Sequence, residues 1–245
     1  MVMDVRTQLV TEAESFGLTL TDHQVDLLLR HLDLVLEKNR VLNLTRIVDP
    51  SDVVTKHLVD SLLFTLTLDH IDCPRGAFLD LGTGAGFPGI PFGVTTQRPG
   101  LLIDSVSKKV NAVHEFIDEL GLSDKLSPKA IRVEELGKER RGQFSCVTAR
   151  AVAQLNVLIE YASPLLRRDG ILIASKGPLG DEELSDAAYA SEVCGMELVS
   201  RETFELPRDA GHREVVTFRK VSRPSITLPR AVGMAKKHPL SVQGQ

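Results

Sequence analysis

Asp80-Leu81-Gly82-Thr83-Gly84-Ala85-Gly86 decides the reading of this chain. The stretch closes a short apolar run, residues 77–81, and hands it to a helical segment, the place where an open α/β sheet meets a nucleotide. Glycines at alternate positions let the backbone turn tightly and bring its N–H groups against a ligand, with no Cβ in the way. Asp104 ends the next apolar run, 20 residues after Gly84, where a carboxylate can accept both ribose hydroxyls of an adenosine. Gly82, Gly84, Gly86 and Asp104 are therefore candidate cofactor ligands. Gly84-Ala85-Gly86-Phe87-Pro88-Gly89 also satisfies the dinucleotide pattern read one glycine later. That frame leaves Asp80 and Gly82 without a role and sets Pro88 and Pro91 at the helix start, where the first turn tolerates them.

Outward from the loop, the rhythm is short apolar strands alternating with helices. Strands are predicted over 77–81, 101–104, 130–133, 144–148 and 171–175, with a helix over 107–120 stopped at Gly121. Such βαβ units predict a parallel sheet with helices on both faces. Two further runs, 196–206 and 214–221, are separated only by Pro207-Arg208-Asp209-Ala210-Gly211, a hairpin-like connection that makes the sheet end in an antiparallel pair. Upstream, Thr21-Asp22-His23-Gln24 has capping-box form and Val25, Leu28, Leu29, Leu32, Val35 and Leu36 follow at helical spacing. A second helix starts at Asp49-Pro50 and runs until Cys73-Pro74-Arg75-Gly76 breaks it. The expected fold is α/β, a Rossmann-like sheet of the class I methyltransferase type, mostly parallel with an antiparallel last strand. A helical cap (1–75) precedes the cofactor-binding domain (76–222), and a basic tail (223–245) follows it.

Composition sets the outer bounds. The chain has 245 residues, 42% hydrophobic and 25% charged, as an ordinary globular protein does. No apolar run approaches the roughly 20 residues that span a bilayer, and Met1-Val2-Met3-Asp4 lacks the order of a secretory signal. A cytoplasmic protein without membrane contact is expected. Cys73, Cys146 and Cys194 form no CxxC pair and read as reduced and structural, with no metal site. The net charge of −4 hides an asymmetry: residues 1–72 carry 6 Lys/Arg against 12 Asp/Glu, whereas residues 219–245 carry 6 Lys/Arg and no acid. A basic tail either solubilises a loose end or meets phosphate, and a segment of this kind orders on contact with a partner. With no coiled coil or exposed apolar segment, a monomer is expected.

The chain resembles the RsmG (GidB) family of ribosomal RNA guanine-N7 methyltransferases. The markers are Asn43-Leu44-Thr45, Lys56-His57-Leu58-Val59-Asp60-Ser61, the loop from Asp80 to Pro91, Asp104-Ser105 with Lys108-Lys109, Arg132-Val133-Glu134-Glu135, Ala149-Arg150-Ala151, Ser175-Lys176-Gly177 and Pro229-Arg230. Pro229-Arg230-Ala231-Val232-Gly233-Met234-Ala235 is more apolar in its middle than the family's longer basic, proline-rich tail. The resemblance implies S-adenosylmethionine as cofactor, held by Gly82, Phe87, Val133, Glu134 and Arg150, and 16S ribosomal RNA of the small ribosomal subunit as partner. Asp104 fits as the ribose acceptor, Val133-Glu134 as readers of the adenine edge, and Arg150 as a clamp on the methionine carboxylate or a phosphate. Lys108, Lys109, Lys176 and Arg230 are candidate RNA-phosphate contacts. His57 is either a packed histidine or a substrate contact.

Guanine N7 offers a lone pair without a proton, so its methylation needs in-line alignment more than a general base, and no catalytic base is assigned. A cytosine-C5 enzyme needs a cysteine nucleophile, but Cys73 precedes the first strand and Cys146 lies within the fourth. Thr148-Ala149-Arg150-Ala151 stands where exocyclic-amine methyltransferases carry an Asn/Asp-Pro-Pro-aromatic motif. Two other readings compete: an NAD(P)-dependent oxidoreductase using the shifted glycine frame, and a noncatalytic RNA-binding ribosome-assembly factor that keeps the cofactor only to stay folded.

Overall fold

The computed structural model describes residues 4–242. Residues 1–3, the start read above for a signal, lie outside the described residues, as do 243–245 of the tail. The chain opens with helix α1 (Val5–Ser15) and a long α2 (Asp22–Leu42). Thr21 caps α2 in a capping box with Gln24, and Val25, Leu28, Leu32 and Val35 recur on its buried face. A continuous helical rod follows: α3 (Pro50–Val53), a π-helical turn (Val54–Val59) and α4 (Asp60–Asp69). The periodicity shows one helix here; the wider turn in its middle is a local irregularity of the kind found at functional sites.

Strands β1 (Phe78–Leu81), β2 (Gly100–Asp104), β3 (Leu126–Ala130), β4 (Phe144–Arg150), β5 (Leu166–Lys176), β6 (Met196–Leu206) and β7 (Gly211–Lys220) form one seven-stranded sheet. Their order is β3-β2-β1-β4-β5-β7-β6. The first five are parallel, and β7 pairs antiparallel with both β5 and β6. The crossovers are α5 (Gly89–Thr96), α6 (Ser107–Glu119), α7 (Val133–Glu139), α8 (Leu155–Ala162) and α9 (Asp181–Cys194). The order reverses between β1 and β4, which opens a crevice at their carboxyl ends.

The third strand corrects the expectation of 130–133. Val133 opens α7, and the strand is Leu126–Ala130. Pro128 lowers its apparent strand character, yet β3 is the sheet's edge, where a proline lacking its N–H is tolerated. The last strand likewise starts at Gly211 rather than 214, because the hairpin turn is confined to four residues, with Arg208 and Asp209 at positive φ.

Side chains alternate across the strands. Phe78, Leu102, Ile171, Ile173 and Val215 join one core with Leu9, Leu28, Leu58 and Leu63 of the N-terminal helices. Leu79, Val147, Leu172 and Val216 face α8 and α9 in the other. The cap thus shares its core with a face of the sheet and has none of its own. The tail also differs from the expectation of a segment that orders on a partner. Leu228 and Ala235 are buried in the second core, Asn156 Nδ2 donates to Leu240 O at 2.9 Å, and a short α10 (Met234–Lys237) packs near α8. Its apolar residues, interleaved with the basic ones, give it a packed side.

Candidate active site

The glycine turn is fixed from below by Asp80. This fully buried carboxylate accepts Gly89 N–H at 3.0 Å and the Thr148 hydroxyl at 2.8 Å, tying the start of α5 and β4 to β1. Burial pushes its pKa up to about 6, and those hydrogen bonds oppose the shift. Gly82 has φ +69°, and a Cβ there would stand 2.8 Å from Val152 Cγ2. Gly86 has φ +92°, but a Cβ there would meet Ile90 at 2.7 Å and His31 Nε2 at 2.9 Å, so this glycine admits the cap rather than a ligand.

Across the crevice, Asp104 accepts Val106 N–H at 2.9 Å and Gly84 N–H at 3.3 Å. It pairs with no cation among the described residues. Gly82, Asp104, Lys109, Val133, Glu134 and Tyr161 line a cavity of about 310 Å³, over which the tail lays Gly233 and Lys236. Glu134, expected as a reader of the adenine edge, is buried and accepts Gly233 N–H at 2.8 Å. Burial first, and then the charge of Glu134, pushes the Tyr161 phenol up to about 12. Gly84 borders the cavity only through Asp104; Phe87 does not reach it.

Phe87 instead stands in a ring stack against the cap. His31 lies 4.5 Å away on centroids, and His57 stacks at 4.8 Å with only 9° between planes. The Arg150 guanidinium sits 5.4 Å from the Phe87 centroid. Thr45 Oγ1 lies 2.9 Å from His57 Nε2 and is itself held by Asn39, which accepts Thr45 N–H at 2.8 Å. Burial, then Arg150, lowers the His57 pKa to about 3; burial lowers His31 to about 4. Both rings are neutral at ordinary pH.

Arg150, expected at a carboxylate or phosphate, donates to Lys56 O at 3.1 Å and Asp60 Oδ2 at 3.2 Å. Arg213 Nε takes the other Asp60 oxygen at 3.0 Å. Lys56, His57, Asp60, Arg150, Lys176 and Arg213 line a second cavity of about 370 Å³. Ala151, at φ +54°, lines both cavities, which therefore lie side by side at the end of β4. Two candidate phosphate contacts are already engaged. Lys176 pairs with Glu183 at 2.9 Å and donates to Ala153 O at 2.8 Å. Arg230 grips buried Glu160 with two nitrogens and donates to His238 O at 2.9 Å, fastening the tail. Lys109 borders the first cavity and Lys108 is exposed beside it.

Asp60, Arg213 and Tyr161 are site residues that the sequence alone does not mark. Asp60 lies in the Lys56–Ser61 stretch, but its meeting with Arg213, 153 residues away, follows from the docking of α4 beside β7.

A family model described as rRNA small subunit methyltransferase G (GidB) matches residues 24–215. The ribosomal RNA small subunit methyltransferase G of Desulforamulus reducens is 37% identical over 243 residues, covering 97% of this chain and 99% of that one. The chain belongs to this family. The Deinococcus radiodurans member is 40% identical over 233 residues, covering 93% of this chain and 90% of that one. Among solved structures, a geranyl diphosphate methyltransferase in complex with sinefungin aligns at TM-score 0.56 and 12% identity over 82% of this chain and all of that one. A Corynebacterium glutamicum protein aligns at 0.54 and 18% over 90% and 99%. These two structures share the fold of the family's sheet. Among the described residues, no helix is long and apolar enough to cross a membrane and no cluster of His, Cys, Asp and Glu could hold a metal.

Proposed function

We propose that this chain methylates N7 of a guanine in the 16S RNA of the small ribosomal subunit, using S-adenosylmethionine, and that it acts as a cytoplasmic monomer. The observation that carries the reading is the shared wall at Ala151: a glycine-and-carboxylate cavity suited to an adenosine adjoins one lined by cations, Asp60 and a histidine ring. The first cavity fits the cofactor. Gly82 holds the turn at a left-handed φ of +69° where a Cβ would press on Val152 of the cavity wall, and Asp104 presents a carboxylate without a cationic partner. Held there by Gly82, Asp104 and Val133, the cofactor would supply an electrophilic sulfonium methyl to a nucleophile with a free lone pair, such as guanine N7, with the thioether as leaving group.

The protein's share is placement. Gly82, Asp104 and Val133 hold the adenosine end, and the Arg150–Asp60 pair and the Phe87–His57 stack fix the rim facing the base. Lys109 and Lys236 line the first cavity, Lys108 is exposed beside it, and these three take RNA phosphates; Lys56, at the second cavity, is held by Asp52 at 2.8 Å. Lys176 and Arg230 act through the carboxylates they hold. The shifted dinucleotide frame lacks a cradle, because a Cβ on Gly89 would point inward, 2.6 Å from Asp80 Oδ2.

The test is transfer of labelled methyl from S-adenosylmethionine to small subunits lacking their guanine-N7 mark, with the product mapped by cleavage chemistry specific for N7-methylguanine. One labelled guanine is expected. Cofactor binding and subunit binding without any transfer would establish the assembly-factor reading instead.

A further inference from the structure

The largest cavity described, about 720 Å³, lies away from this site. Gly142 comes just before β4, Ser163 and Pro164 just before β5, and Lys220 ends β7, whose neighbour Arg219 pairs with Ile171 of β5. It therefore opens at the amino ends of the parallel strands. The seven-residue β4 separates it from Arg150, a distance on the order of 20 Å at about 3.3 Å per residue.

Four cations, Arg141, Arg168, Lys220 and Arg223, line it, and no acid does. Lys220 is only 8% exposed, and its ammonium donates to Ser163 Oγ and Cys194 O, both at 2.6 Å and both uncharged. Arg141 donates to a backbone carbonyl, Leu228 O. Among the described residues, none of the four pairs with a carboxylate, whereas Arg150, Arg213, Lys176 and Arg230 each do. Buried charge is ordinarily paired. Burial, opposed by Cys194 and reinforced by the nearby Arg141, lowers the Lys220 pKa to about 8. Pro164, Leu166, Pro224 and Ile226 supply apolar wall beside the cations, and the volume exceeds what a lone phosphate ion needs.

We propose that this cavity is a second nucleic-acid site that binds one phosphodiester of the RNA substrate on Arg168, Lys220 and Arg223, with the attached nucleoside against the proline wall. It rests on the ribosomal RNA reading of the function. It also gives the basic segment after residue 218 a role: Lys220 and Arg223 face RNA here, while Arg230 secures the fold. A substrate reaching both edges of the sheet spans several nucleotides, so the site favours a structured subunit over a short fragment.

The test is equilibrium binding of the full-length protein to small subunits across a salt series, for wild type and Arg168→Ala/Arg223→Ala. Both arginines are exposed, and S-adenosylmethionine affinity serves as the control for folding. Loss of two phosphate-facing charges is expected to weaken subunit binding about tenfold and to reduce the slope of log affinity against log salt by about one, with cofactor affinity unchanged. A Lys220→Met variant gives the same loss if it folds. Unchanged subunit affinity and slope would overturn the proposal. Titration with inorganic phosphate is the second arm: stabilisation of wild type but not of the double variant, with subunit binding equal in both, would assign the cavity to free phosphate and overturn the RNA source. Binding measured this way needs no methyl transfer, so failure of the catalytic reading and failure of this one are distinguishable.

Discussion

On one side of Ala151, Asp104 gives its carboxylate only to backbone N–H groups, and the cavity before it is open. On the other side, Asp60 is 3% exposed and holds one guanidinium on each oxygen, while His57 is packed between Phe87 and Thr45. The first side keeps unpaired charge for a ligand. The second closes its charges on one another and so fixes the shape of the wall that a base would meet. A carboxylate at a site can thus be a ligand or a strut, and its partners, rather than its residue type, decide which.

The sharpest way to break the contrast is Asp60→Asn. Removing one charge from a buried, hydrogen-bonded ion triad leaves two guanidiniums uncompensated and is expected to cost about 3–5 kcal/mol of stability, read as a lower urea midpoint. An unchanged midpoint would make Asp60 a free site residue like Asp104.

Gly82→Ala and Gly86→Ala separate the two faces of one loop. Both pay about 1–2 kcal/mol for a left-handed backbone. At Gly82 the added methyl displaces Val152 of the cofactor cavity's wall, so cofactor affinity is expected to fall about tenfold or more, each tenfold being about 1.4 kcal/mol, with a smaller change in melting temperature. At Gly86 the methyl meets His31 and Ile90, so the melting temperature should fall first. Equal effects would mean that the loop is one structural unit.

The smallest effect expected is a silence. His57 takes its proton near 6.5 when unfolded and about 3 when folded. Its contribution to stability is therefore present above about 6.5 and is lost as pH falls toward about 3. Its imidazole resonances should not titrate between pH 8 and 5. A midpoint near 6.5 would place the ring in solvent and return it to the substrate contacts.

What was legible in the sequence follows the same division. The loop, Asp104 and the Val133-Glu134 step are local signals, set by strand ends and glycines, and the structure gathers Gly82, Asp104, Val133 and Glu134 around one cavity. Arg150 was legible as a residue at the carboxyl edge, but its partner was not, because Asp60 and Arg213 converge only when α4 docks beside β7. The ring stack of His31, Phe87 and His57 joins three distant segments and leaves no periodic trace. Pro128 obscured an edge strand. The tail's charge points to a loose segment, and its apolar middle carries no periodic pattern to show which residues pack, yet Leu228 and Ala235 carry it into the core.

The most direct test of the account is calorimetric titration of S-adenosylmethionine into wild type and Asp104→Ala. Loss of a charged acceptor for two ribose hydroxyls, at about 1.5–3 kcal/mol for a charge-assisted hydrogen bond, predicts affinity at least about tenfold weaker in the variant, with a modest fall in melting temperature from the lost Val106 and Gly84 N–H bonds. Equal affinity in both proteins would contradict the assignment of the open cavity to the cofactor's ribose, and with it the division between the two sides of Ala151.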